Sequence, residues 1–98
     1  MAFVQVIEFR TDDIEKARQI DEEWRHATEG KRTARRQLVT RDRSDPDRYF
    51  VMIFFDSYES AMENSGLPET GAAAEKYMKI TAGPPAFYDL DVISDLAN

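Results

Sequence analysis

A chain of 98 residues with 42 % hydrophobic and 33 % charged side chains has material for one packed domain, expected to span residues 1–98, and is too apolar to be read as disordered. No apolar run approaches the roughly 20 residues that cross a bilayer, and Met1 to Gln5 carry neither a basic leader nor an apolar signal core, so a cytoplasmic protein without membrane attachment is expected. There is no cysteine for a disulfide, a thiolate metal site or a nucleophile, and the net charge of −6 opposes binding to nucleic acid.

Phe3 to Phe9 has apolar residues in both parities and reads as a largely buried strand. From Thr11 the period changes. Asp12 is placed to cap a helix, Glu15 to reach back, and Ile14, Ala17, Ile20, Trp24 and Ala27 form one inward stripe that ends before Gly30. Thr33 to Asp42 is strand-like but polar, as an edge strand should be, and its basic residues discourage unwanted pairing. Arg43 to Asp47, with Pro46, is a turn short enough to join it in a hairpin to the next strand.

That next strand organises the chain. Tyr49 to Phe55 is uninterruptedly apolar, with Tyr49, Val51, Ile53 and Phe55 on one face and Phe50, Met52 and Phe54 on the other. Asp56 or Ser57 then caps a short helix that Gly66 to Pro68 breaks, and Pro68 opens a third helix whose inward face is Ala73, Ala74, Tyr77, Met78 and Ile80. Gly83 to Pro85 stops it, and Ala86 to Ile93 alternates as the last strand. Strand, helix, strand, strand, helix pair and strand make an α+β fold, the ferredoxin-like βαββαβ, with a four-stranded antiparallel sheet and helices on one face. Its other face would be bare, and the two-faced strand at residues 49–55 predicts a homodimer in which a second copy covers it.

In this element order, in Phe54-Phe55-Asp56-Ser57-Tyr58-Glu59-Ser60-Ala61-Met62-Glu63-Asn64-Ser65 followed by Leu67-Pro68-Glu69-Thr70, and in Gly83 to Val92, the chain resembles the dimeric α+β barrel superfamily, in particular its antibiotic-biosynthesis-monooxygenase-like bacterial members. The resemblance implies two subunits with their sheets face to face. It also implies one of several activities, among them oxygenation of aromatic substrates without a cofactor, isomerisation, dehydration and haem chemistry, and fold alone does not choose among them. Many monooxygenase-like relatives place a histidine where this chain has Asn64, and the helix histidine of haem-degrading members has no counterpart between Pro68 and Gly83.

The leading expectation is therefore a monooxygenase-like enzyme for a small aromatic or hydrophobic molecule, with no cofactor and no bound metal. The alternative is a non-catalytic ligand-binding or interaction protein of the same fold. Trp24, Tyr49, Tyr77 and Phe87 are the aromatic residues expected to line a ligand site, and Tyr49, Tyr77 and Asn64 the polar ones expected to act on substrate. Each aromatic has core or interface packing as its competing role. His26, the single histidine, falls about 120° to 140° from the inward stripe at 100° per residue and is expected to face solvent. If a site exists, Trp24 and Tyr77 should wall it between the helices and the sheet, beside a void on the order of 300 Å³.

Overall fold

The computed structural model describes residues 2–98. Its elements are β1 (Phe3–Arg10), α1 (Ile14–Ala27), β2 (Arg36–Arg41), β3 (Arg48–Phe55), α2 (Tyr58–Ser65), α3 (Pro68–Met78) and β4 (Ala86–Asp91). The strands pair antiparallel throughout, in the order β2-β3-β1-β4. This is the ferredoxin-like βαββαβ arrangement expected from the sequence, its second helical segment split into α2 and α3 at Gly66–Leu67.

Local chemistry sets the boundaries. The cap of α1 is Asp13 rather than Asp12, and its carboxylate accepts from the Lys16 backbone N–H at 3.1 Å. Asp12 is displaced because the buried Thr11 already turns the chain there, its hydroxyl accepting from Asp13 N–H at 3.1 Å and donating to Ile80 C=O at 2.8 Å. The inward stripe of α1 runs through Ala17, Ile20 and Trp24 to Thr28, and Ala27 is exposed. A hydroxyl can close the buried stripe because Thr28 donates to Trp24 C=O, one turn back, at 2.7 Å. Strand β2 begins at Arg36, three residues later than expected, because Thr33 is occupied with α2: its hydroxyl donates to Ser60 C=O at 2.6 Å and its N–H to Asn64 Oδ1 at 3.4 Å. Strand β4 ends at Asp91, where β1 has run out of residues to pair with. At α2 the cap is Ser57, in a reciprocal capping box with Ser60, and Pro68 occupies the first turn of α3.

The odd-numbered residues of β1 and β3 face the helices. At one end of the sheet Phe3, Phe55 and Ala61 form a buried cluster, and at the other Phe9, Tyr49 and Val51 form a second. Between these clusters lies the row in which Gln5 and Gln37 flank Ile53. The core is thus in two parts, with the middle of the sheet between them.

The even-numbered face carries Val4, Val6, Leu38, Phe50, Met52 and Phe54, extended on β4 by Tyr88 and Leu90, which are 44 % and 49 % exposed. No helix lies on this side among the described residues. Charges run along one end of it: Arg48 bridges Glu8 at 2.7 Å and stacks over Phe50 at 4.9 Å, while Tyr88 donates its hydroxyl to Glu8 at 2.9 Å.

Candidate functional site

Helix α3 buries none of its side chains completely and leans on α1 instead of settling on the sheet. Polar links hold the two helical segments together. Trp24 Nε1–H donates to Thr70 Oγ1 at 3.0 Å, Tyr77 donates its hydroxyl to Ala17 C=O at 3.2 Å, and Lys76–Glu23 and Lys31–Glu69 pair at 2.7 and 2.6 Å. The side chains α3 turns toward the sheet, Ala73 and Ala74, are too small to reach it, and Gly71 contributes nothing.

The result is a cavity of about 500 Å³ between helices and sheet. Gln5, Ile7, Phe9, Val51, Ile53 and Gln37 form its floor, Trp24 and Asp21 the α1 wall, and Ala73, Ala74 and Tyr77 the roof. Asn64 closes one end, and Met78, Pro84 and the half-exposed Phe87 stand at its mouth. The walls are mostly apolar with a few polar groups converging from separate elements, a composition suited to holding a flat organic molecule.

Burial, and secondarily the negative charge of Asp21, push the Tyr77 phenol well above its ordinary range, so it is an un-ionised hydroxyl at neutral pH. Asn64 is buried, 4 % exposed, and its Oδ1 is engaged by Thr33 N–H, which leaves its amide nitrogen free among the described residues. Asp21 accepts from Gln37 Nε2 at 2.9 Å, and Gln5 Nε2 lies 3.5 Å from Asp89 Oδ1.

Of the residues singled out from the sequence, Trp24, Asn64, Tyr77 and Phe87 meet at this cavity. Tyr49 does not. It sits in register with Phe9 at the end of the sheet, stacks on that ring at 5.7 Å and is 7 % exposed, so the site role expected for it gives way to core packing. His26 is exposed on the outer side of α1, as its helical angle requires. Gln5, Asp21, Gln37 and Thr70 line the cavity without having been singled out. A signal did exist for one: Gln5 is a polar residue between Phe3 and Ile7 on the inward parity of an otherwise apolar strand. Asp21 and Gln37 stood among other polar residues and carried none.

Among the described residues no three His, Asp or Glu side chains are grouped to hold a metal ion, and no helix is long and apolar enough to cross a membrane.

Fold and cavity together define the class, an α+β protein of ferredoxin-like βαββαβ topology with a pocket between its helices and its sheet. Solved structures of that class superimpose over nearly the whole chain. SnoaB, a cofactor-independent oxygenase from Streptomyces nogalater, has 9 % sequence identity and a TM-score of 0.81, with 99 % of this chain and 98 % of that one covered. A Caulobacter crescentus protein named "putative antibiotic biosynthesis monooxygenase" has 14 % identity and a TM-score of 0.80, covering 95 % and 91 %. Rv0793 from Mycobacterium tuberculosis has 12 % identity and a TM-score of 0.80, covering 99 % and 100 %. No protein-family model matches the sequence, and no curated protein matches it either. At such identities the likeness is one of fold.

Proposed function

We propose that this chain, as one domain, is a cytoplasmic, cofactor-independent monooxygenase-like enzyme for a small aromatic or hydrophobic molecule, working as a homodimer through its bare sheet face. The observation that carries the reading is the open cavity of about 500 Å³, walled by Trp24 and Tyr77 and supplied with convergent polar groups. Aromatic side chains filling the same space would have favoured a purely structural role. The similarity in fold to SnoaB supports the choice of reaction class.

The chemistry asks little of the protein. An electron-rich hydroxyaromatic that loses its acidic C–H proton to solvent gives a delocalised carbanion that passes one electron to dioxygen. The two radicals join in a C–O bond, the peroxide takes up a proton, and O–O cleavage with loss of water leaves one oxygen atom in the product. Dioxygen is thus the sole oxidant, and the protein's part is to orient the ring and stabilise developing charge. In this cavity the floor of Ile7, Val51 and Ile53 and the faces of Trp24 and Phe87 would hold the ring. The free Asn64 amide would donate to a carbonyl or developing oxyanion, and the un-ionised Tyr77 would position the ring without serving as a base.

The test is oxygen uptake by chelator-treated protein with a panel of hydroxyaromatics that have an acidic C–H, of which anthrone is the simplest, in the presence of labelled dioxygen. Incorporation of one labelled oxygen atom into product, lost in Asn64→Ala and in the cavity-filling Ala74→Trp, is expected. Ligand binding without turnover across the panel would replace the enzyme by a small-molecule-binding protein.

A further inference from the structure

The hydrogen-bonding inventory of the cavity narrows what can occupy it, an inference that rests on the cavity being a ligand site. The one charged side chain in its lining is Asp21; no Lys, Arg or His lines it among the described residues. No basic side chain forms an ion pair with Asp21 either, and its only partner there is the neutral amide of Gln37 at 2.9 Å. One oxygen of that carboxylate is thus occupied and the other is open.

Meanwhile the two aromatic donors of the wall are spent within the protein, and each glutamine amide commits one N–H to an acid. The Trp24 N–H goes to Thr70, the Tyr77 hydroxyl to Ala17 C=O, and the Gln37 and Gln5 amide nitrogens turn toward Asp21 and Asp89. A carboxylate accepts only, so each glutamine must aim its nitrogen at its acid and its carbonyl oxygen elsewhere. What distinguishes the lining is therefore its charge: Asp21 is one negative group among neutral side chains, with no cation beside it among the described residues. The rise of the Tyr77 phenol, caused by burial first and Asp21 second, agrees with a negative potential at this spot.

We propose that the cavity selects flat aromatic molecules whose polar end is a hydrogen-bond donor without negative charge, an amine or an un-ionised phenol held by Asp21, and rejects the same ring bearing a carboxylate. Asp21 is then the residue that sets specificity. A donor end satisfies the open oxygen of Asp21, whereas an anionic end would meet a like charge with no cation in the lining to offset it.

The experiment is calorimetric titration of the unmodified protein at pH 7 with one ring in four forms: naphthalene, 2-naphthol, 2-naphthylmethylamine and 2-naphthoate. Binding of the naphthol and the ammonium form at least about tenfold tighter than the naphthoate is expected, and Asp21→Asn, which keeps an acceptor for Gln37, should shrink the gap between ammonium and naphthoate. Ala74→Trp should abolish binding of all four. Naphthoate binding as tightly as the ammonium form overturns the selectivity and leaves the cavity a ligand site. Absence of binding by every form, or binding that survives Ala74→Trp, overturns the cavity reading and this inference with it.

Discussion

Tyr77 shows how one side chain can be both wall and strut. Its ring faces the cavity and approaches Phe9 at 6.0 Å, while its hydroxyl donates to Ala17 C=O and ties α3 to α1. Tyr77→Phe should cost about 1 kcal/mol in chemical denaturation at neutral pH, the usual net worth of such a bond. Its pH signature is separable. The folded state holds this phenol un-ionised while the unfolded chain ionises it near pH 10, so its contribution is intact below that value and lost as pH rises above it. Between pH 9 and pH 11 the Phe variant should therefore lose less stability than the parent, as urea titrations at the two pH values would show. His26 is the opposite case. Exposed on the outer face of α1, it should tolerate Ala with a change within about 0.5 kcal/mol and unaltered ligand binding. A binding defect in His26→Ala would place the site elsewhere.

Helix α3 is an element built for standing off a sheet. An amphipathic helix normally buries a stripe of large side chains, but here the inward positions are Ala73, Ala74 and Tyr77, and the helix is carried by its links to α1. Gly71, in its first half, has no atom within 4 Å of where a Cβ would lie, so nothing in the packing requires a glycine there. Gly71→Ala should raise stability by about 0.5–1 kcal/mol, measured by urea denaturation, since it removes backbone freedom from the unfolded chain without a clash. A loss of stability would mean that α3 sits closer to its neighbours than this geometry has it.

For the whole molecule the decisive feature is the even-numbered face of the sheet. Val6, Phe50, Met52 and Phe54 on the two central strands resemble half of a core, and the proposed homodimer supplies the other half. Sedimentation at micromolar concentration should give about twice the 11.3 kDa chain mass, and Met52→Lys should dissociate and unfold the protein together. A folded, monomeric Met52→Lys variant would remove the argument for the barrel. Acid should act in the same direction. Hydrogen bonds from Arg48 and then Tyr88 hold Glu8 below the ordinary carboxylate range, and Arg10, Arg35, Lys76 and Lys31 do the same for Asp45, Asp56, Glu23 and Glu69. These contributions are complete above the ordinary carboxylate range and disappear as pH falls through the lowered values. Stability, followed by thermal melts, should therefore be flat near neutrality and decline below about pH 4.

Element type, order and facing are local properties, and so they were legible in the residues: the two-parity run from Tyr49 to Phe55, the four-residue steps of α1, and the Ser57 and Pro68 starts all follow from contacts within a few positions of one another. Trp24 and Tyr77 could be placed near the same space because helical phase alone directs both toward the sheet. The exclusion of Tyr49 from that space depended on tertiary packing, which stacks its ring on Phe9 and buries it while Phe9 itself reaches the cavity floor. The roles of Asp21 and Gln37 depended on the same kind of fact. They are 16 positions apart, on a helix and an edge strand, and each taken alone is an ordinary polar residue. Whether a space is filled or left open is the sum of side-chain volumes brought together by strand pairing and helix docking, and that sum does not exist until the chain has closed on itself.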